Sequence, residues 1–451
     1  MEVAELKNKI NGNFITPESV DYDKARAVFY GGIDNTPAAI VQAKDTEDVV
    51  RTINFSREHG LDLSIRSGGH SIAGYSASQG GIVLDLRHMR ALEVDEQRET
   101  AWVEPGLTAG EYSKELDKYS LATGFGDTGS VGIGGITLGG GIGFLARKYG
   151  LAIDNLLAAE IVTADGKLLQ VDAANHPDLF WGIRGGGGNF GVITRLKFKL
   201  RKTGDCMGGI LILPAEPKVL ANFMAEADKA PEELSVIVNV MPAMPMPFLP
   251  EAIHGKMVIM ALMMYVGDEE SGKKVYEPFR ALAKPLADMI KPMRYPEIFM
   301  PEDDSYHPTA VSRTMFLDNV NAASAKLMLD YLEASDAPVR VIQLRALGGA
   351  VSKVGSNETA FAHRGSKILA NVAAFYDTPE NQKTREEWVV DFVDAIRQND
   401  DGAYVGFVGK ESGQLPRVYP TATLERLRKV KQTYDPGNLF KFNVNISPSN
   451  T

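Results

Sequence analysis

Apolar positions after Lys44 recur at helical spacing. Val49, Val50 and Ile53 share a face, Thr46 stands where a cap is needed, and Gly60 where a helix must stop. A strand follows at once, because Leu61, Leu63 and Ile65 alternate with polar residues and run straight into Arg66-Ser67-Gly68-Gly69-His70. Ile82–Leu86 reads as a further strand. Thr108-Ala109-Gly110-Glu111 reads as a capping box that opens a helix with Tyr112, Leu116 and Tyr119 on one side. Glu160 to Val171 reads as a hairpin about Asp165-Gly166, a dipeptide that accepts the positive φ of a tight turn. From Ile193 to Leu200 the alternation is clean, with Leu196, Phe198 and Leu200 opposing Arg195, Lys197 and Lys199.

Around Thr203 to Cys206 a glycine-dense first half gives way to a Met- and Pro-richer region. There the pattern predicts strands at Ser235–Val240, Lys256–Tyr265, Val339–Leu344 and Lys367–Phe375. Helical stretches lie between them near Lys218–Asp228, Ser271–Ala283, Ala322–Ala334 and Lys383–Gln398. That order fits an antiparallel sheet with helices on one side. A last helix, Thr423 to Thr433, stops before Tyr434-Asp435-Pro436-Gly437.

Length and composition narrow the class. A chain of 451 residues exceeds the roughly 250–300 that one core supports, so two domains are expected. With 44% hydrophobic and 24% charged residues the chain reads as globular. A formal net charge of −10 argues against a binder of the nucleic-acid backbone, whose footprint is basic. No stretch reaches the ~20 apolar residues that span a bilayer. Met1 to Glu5 begins acidic, without the basic-then-apolar order of a secretion signal, and a cytoplasmic location is the default expectation. Cys206 is the one cysteine, which excludes an internal disulfide, an iron–sulfur cluster and a multi-cysteine metal site. The histidines His59, His88, His176, His254, His307 and His363 lack metal-ligand spacing, and no metal is expected.

The chemistry concentrates in two glycine clusters, Gly126 to Gly143 and Gly185 to Gly191. Runs of glycine let successive N–H groups converge on an anionic group such as a pyrophosphate, although a single run reads equally as tight turns and close packing. No Rossmann fingerprint or P-loop accompanies them.

Five segments carry a resemblance to a known family. They are Arg66-Ser67-Gly68-Gly69-His70-Ser71, Val131-Gly132-Ile133-Gly134-Gly135 continuing to Gly143, Arg147 to Ala152, Asp178-Leu179-Phe180-Trp181 running to Gly191, and Tyr434-Asp435-Pro436 to Asn445. In this order they resemble the FAD-linked oxidases with a vanillyl-alcohol-oxidase-type (PCMH-type) flavin domain. The branch is the berberine-bridge-enzyme-like one, in the style of its 6-hydroxy-nicotine-oxidase-like members. The middle of the chain matches mainly at Leu347 to Ala350 and Phe361 to Arg364.

The resemblance implies an α+β architecture. A bipartite FAD-binding domain, residues 1–204, is completed by a C-terminal segment, 412–451, with a substrate-binding domain, 205–411, between them. It implies that Arg66, Ser67, Gly68, Gly69, His70 and Ser71 wrap the FAD pyrophosphate and that His70 is bonded to the 8α carbon of the flavin. Thr128, Val131, Gly132, Gly134, Gly135, Gly140, Gly143, Gly191, Val192, Ile193, Asn443 and Asn445 complete the implied cofactor set. A neutral imidazole is a competent nucleophile for such a bond. Several relatives hold the flavin by a second bond through a cysteine; Thr128 stands at that place here, so a single attachment is expected. A polar Asn–Tyr-like pair in the strand near the C-terminus is replaced by Tyr404-Val405-Gly406-Phe407, which weakens the carry-over of a tyrosinate base.

On the substrate side the candidates are Gln343 and Arg345, alternating with Ile342 and Leu344, together with Asn371 and Tyr419. Arg345 reads as an anchor for an acidic substrate, as a stabiliser of reduced flavin, or equally as a surface or salt-bridged arginine. Tyr419 reads as a base or as a wall, and Met241–Pro250 as an apolar lip or an exposed insertion. The expected partners are a small-molecule substrate and O2. Three functions compete: an oxidase, a dehydrogenase with another acceptor, and a flavin carrier whose catalytic site has decayed.

Overall fold

The computed structural model describes residues 3–303, 305–409 and 413–448. Its first sheet has four strands in the order Asn13–Ile15, Ala39–Gln42, Ile82–Asp85, Leu63–Arg66. The last three run parallel because the helix Thr46–His59 crosses over between Ala39–Gln42 and Leu63–Arg66. Asp45, rather than Thr46, caps that helix: its backbone is extended and its carboxylate accepts from Asp48 N–H at 3.0 Å. Gly60 ends the helix at φ 63°. The Leu63–Arg66 strand is buried on both faces apart from half-buried Ile65, so Ser64 and Arg66 lie inside where alternation predicts solvent. Parallel strands covered on both sides carry no such alternation.

The second sheet is antiparallel, in the order Leu92–Asp95, Thr100–Val103, Val192–Lys199, Leu156–Val162, Leu168–Asp172. It contains the expected hairpin, with Gly166 at φ 80°. Leu196 and Phe198 of Val192–Lys199 are buried while Lys199 is exposed, as the alternation requires. The capping box at Thr108 and Glu111 forms and opens Ala109–Asp117.

The third sheet has eight strands, all antiparallel. Its main path runs Ala287–Asp288, Cys206–Pro214, Met257–Val266, Leu234–Pro242, Arg340–Ala346, Ile368–Phe375, Ala310–Leu317, and Lys291–Met293 also pairs with Cys206–Pro214. The helices Pro217–Lys229, Glu269–Arg280, Ala322–Ala334 and Pro379–Ile396 cover one face. Phe223, Phe279, Leu332 and Phe392 pack there against Val238, Leu344 and Val372. The residues that alternate with these, Asn239, Gln343, Arg345 and Asn371, face the opposite way, toward the glycine-rich half. Two of the long strands of this sheet escape the sequence pattern. Cys206–Pro214 is buried on both faces until its last residue and so reads as a plain apolar run, and Ala310–Leu317 is buried nearly throughout.

Tyr404-Val405-Gly406-Phe407 is not the expected strand; Val405–Phe407 is a 3-10 turn. Met246, Phe248 and Leu249 fold onto Ile210, Ile212 and Val258 at the sheet edge, so Met241–Pro250 forms no lip over the cavity described below. The expected return point of the chain at residues 411 and 412 lies outside the described residues. Beyond it, Thr421–Tyr434 packs Leu427 and Val430 into the core beside Leu179 and Trp181. Among the described residues no helix is long and apolar enough to cross a membrane.

Candidate active site

Between the glycine-rich half and the uncovered face of the large sheet lies a cavity of about 580 Å³. The Leu63–Arg66 strand delivers the Ser67–Ser71 loop to its wall. This loop and the Val131–Gly135 segment cross at backbone contact: a Cβ on Gly68 would stand 2.2 Å from Gly132 N, and one on Gly132 2.3 Å from Gly68 N. Ser67 pins the crossing by donating to Pro105 O at 2.7 Å and accepting from Gly134 N–H at 3.2 Å. Gly69 sits at φ 77°, a conformation that side chains rarely adopt. At Gly135 and Gly188, both at the cavity wall, a Cβ would meet nothing within 4 Å, so backbone there faces open space.

Ser67, Gly68, Gly69, His70, Ser71, Thr128, Val131, Gly132, Gly134, Gly135, Gly191, Val192, Ile193 and Asn443 all line this one cavity. Arg66, Gly140, Gly143 and Asn445 do not. Arg66 lies buried behind the loop, donating to Ser76 O and Arg26 O at 3.2 Å; burial pulls its pKa down to about 10 against the opposing Asp85. Gly140 packs on Tyr404 and Phe361, and Gly143 on the Gly126 carbonyl.

The C-terminal segment closes the third side. Lys431 and Asp435, both fully buried, pair at 2.7 Å, and Lys431 also donates to Asn189 O and Phe440 O. Asn189 in turn donates to Val444 O and accepts from Ile446 N–H. The Gly185–Gly191 loop is thereby stapled to the strip that carries Phe442, Asn443 and Val444 into the cavity.

The facing sheet contributes a polar row. Asn239, Gln343 and Asn371 stand opposite one another on three adjacent strands. Gln343 Nε2 donates to Asn239 Oδ1 at 3.0 Å. Arg345, 4% exposed, donates to Asp127 Oδ2 at 2.8 Å, Gln343 Oε1 at 2.7 Å and Ile142 O at 2.8 Å, with its guanidinium 5.0 Å from the Phe407 ring. It is therefore a salt-bridged arginine with its donors engaged. Tyr419 is away from the cavity, buried in the glycine-rich core with its hydroxyl donating to Gly185 O at 3.2 Å, so it stands neither as a base nor as a wall of this cavity. Tyr30, Asp127, Asn239, Tyr306 and Tyr404 line the cavity without having been singled out from sequence as candidates. The alternation that exposes Gln343 marks Asn239 equally on its own strand, whereas Asp127 is tied to Arg345 across 218 positions and leaves no local signal.

The buried carbonyl oxygens Asn371 Oδ1, Asn443 Oδ1 and Asn445 Oδ1 lack a hydrogen-bond partner, and the first two belong to residues of the cavity wall. Such groups are stabilised by a ligand that carries N–H or O–H donors. The volume lies within the roughly 300–1,000 Å³ of cofactor clefts. Glycine-lined backbone at one end, a half-buried histidine, and orphaned acceptors together fit a flavin dinucleotide.

The layout fits a dinucleotide-dependent oxidoreductase, with a glycine-lined cleft on one side and a row of polar side chains on the other. Comparison with known proteins assigns the kind. The family model for the FAD binding domain matches residues 37–172, and that for berberine and berberine-like proteins matches residues 403–447. An FAD-linked oxidoreductase of Dictyostelium discoideum is 32% identical over 427 residues, 92% of this chain and 89% of the relative. The (R)-6-hydroxynicotine oxidase of Paenarthrobacter nicotinovorans is 28% identical over 97% of each chain. In fold, the chain matches the solved glucooligosaccharide oxidase of Acremonium strictum, described with a 6-S-cysteinyl, 8α-N1-histidyl FAD, at TM-score 0.86 and 23% identity, with all of both chains covered. The chain belongs to the berberine-bridge-enzyme-like family of FAD-linked oxidoreductases.

Proposed function

We propose that this enzyme holds FAD by a single covalent bond at His70 and oxidises a small-molecule amine or alcohol, with O2 as electron acceptor. The observation that carries the reading is that His70 and the Asn239–Gln343–Asn371 row line one cavity from opposite sides. Bound there, FAD would supply the hydride acceptor for a substrate C–H and the route for two electrons to the acceptor. The Ser67–Ser71 loop, Val131–Gly135, Gly188 and Gly191–Ile193 would hold it, with Asn443 offering an acceptor; Arg66, Gly140, Gly143 and Asn445 would brace these segments from behind.

His70 suits attachment because burial lowers its pKa to about 4, against the opposing pull of Glu302 and the Ser130 backbone, so the ring is a neutral nucleophile. Thr128, which lines the cavity, stands where the family resemblance places the cysteine of doubly linked relatives and carries no thiol, which supports one link.

The polar residues favour an amine over an alcohol. Burial, with Asp127 adding to it, pushes the Tyr30 phenol up to about 12, and burial raises that of Tyr404 as well. Both remain O–H donors at neutral pH, and Asp127 is engaged by Arg345. Tyr30, Tyr404 and Asp127 thus orient a substrate without acting as a strong base, which an amine entering unprotonated does not need. With Arg345 compensated, an acidic substrate has no free anchor there.

The test is the visible spectrum before and after acid precipitation, for wild type and His70→Ala, followed by anaerobic titration with amines and alcohols and admission of air. Colour retained in the wild-type pellet alone supports the link. Bleaching by an amine that air reverses supports an oxidase; bleaching that only another acceptor reverses makes it a dehydrogenase, and a flavin that no substrate bleaches leaves a carrier.

A further inference from the structure

A second set of polar groups reaches His70 from segments distant in the chain. Ser130 Oγ lies 3.0 Å from His70 Nε2, and the same hydroxyl bonds Glu302 Oε2. The Ser130 N–H donates to Glu302 Oε1 at 2.9 Å, fixing the carboxylate at both oxygens. A carboxylate only accepts, so the Ser130 hydroxyl gives its proton to Glu302 and its oxygen accepts from the imidazole. In a neutral ring this places the proton on Nε2 and leaves the lone pair on Nδ1. Phe29 stacks on the imidazole at 4.2 Å and 19° and fixes the plane of the ring. Glu302 is exposed, so the line of hydrogen bonds begins at a half-buried imidazole and ends in water.

We infer that Ser130 and Glu302 form a proton relay that promotes attachment of the flavin to His70 through Nδ1, the ring nitrogen used by the 8α-N1-histidyl link of the glucooligosaccharide oxidase. The inference rests on the covalent reading above. In the net reaction a C–N bond forms between Nδ1 and the methyl carbon at position 8 of the flavin. One methyl C–H bond and the imidazole N–H bond break, and the two protons and two electrons released reduce dioxygen to hydrogen peroxide. As Nδ1 commits its lone pair, Nε2–H becomes acidic; its proton passes to Ser130 Oγ while the Ser130 proton passes to Glu302. Without this route the step would leave an imidazolium in a place where burial disfavours the charged ring. Ser130 and Glu302 are positioning residues, acting through His70.

Full-length wild type, Glu302→Gln, Ser130→Ala and Ser130→Thr are prepared alike. Acid-insoluble flavin is followed at harvest and during incubation with FAD in aerated buffer, with total bound flavin measured in parallel. The relay predicts attachment slower by about tenfold or more in Glu302→Gln and Ser130→Ala, with total bound flavin unchanged and near-normal rates in Ser130→Thr, which keeps the hydroxyl. The wild-type flavin peptide should carry its link on Nδ1. Attachment at the wild-type rate in both Glu302→Gln and Ser130→Ala, or a link on Nε2, overturns the relay while the covalent reading stands. Wild type that releases all its flavin into acid overturns the covalent reading itself, and the relay with it.

Discussion

At Gly68 and Gly132 a methyl group has nowhere to go, since a Cβ on either would stand 2.2–2.3 Å from the backbone nitrogen of the other, well inside contact distance. Gly135 is the reverse case: its missing Cβ points into open space at the cavity wall. The two glycines therefore separate structure from binding. Gly68→Ala should lower the melting temperature and the flavin content together, by displacing one loop from the other at about 1–3 kcal/mol. Gly135→Ala should melt like wild type but retain less flavin, read as the ratio of visible to ultraviolet absorbance; equal flavin content in Gly135→Ala would argue against a cofactor at that wall. Residues of this kind were legible in the sequence, because glycine runs and a histidine at a strand end are local patterns. The pairs Arg345–Asp127 and Ser130–Glu302 were not, since 218 and 172 positions separate their members and nothing in either neighbourhood marks the partner.

Among the elements, long helices and half-exposed strands were read within a few residues: Ala322–Ala334 has the predicted bounds, and Val192–Lys199 is shifted by one position. Cys206–Pro214 went unread because burial on both faces removes the period of two that identifies a strand. The strand expected at Tyr404–Phe407 from the family resemblance is a 3-10 turn, Val405–Phe407, held by packing: Tyr404 packs on Phe361 and Phe407, and its hydroxyl accepts from Gly141 N–H at 3.2 Å. The same region carries a pH-sensitive joint. His363 stacks on Phe316, its Nε2 lies 3.0 Å from Val418 O, and burial lowers its pKa against the opposing Val418 carbonyl and Asp400. A histidine with a depressed folded pKa is protonated first in the unfolded chain. Stability should therefore fall as pH drops through the ordinary histidine value near 6.5, down to the folded pKa. Urea midpoints measured between neutral and mildly acidic pH should decline more steeply for wild type than for His363→Gln; parallel curves would mean that His363 titrates alike in both states.

For the whole molecule, the glycine-rich half and the large sheet are joined by buried or part-buried charges rather than by apolar contact alone. Arg147 donates to Leu347 O at 2.6 Å and to Ala230 O at 2.7 Å, and Arg364 grips Asp154 through two bonds of 2.7 and 2.8 Å. Removing one member of a buried pair leaves the other uncompensated, at about 3–5 kcal/mol. Arg364→Met should destabilise by that order in urea unfolding and loosen the cavity, read as increased fluorescence of the bound flavin; a change under about 1 kcal/mol would place the joint elsewhere. The staple at Asn189 has a consequence in time. Ile446 donates to a side chain made 257 residues earlier, and Lys431 binds the same loop. A growing chain on the ribosome can fold the Ser67–Ser71 and Val131–Gly135 loops long before it can close the cleft. Capture of the cofactor should therefore wait until synthesis has passed residue 446, and a chain cut short before that residue should lose added FAD on gel filtration under conditions in which the full chain keeps it.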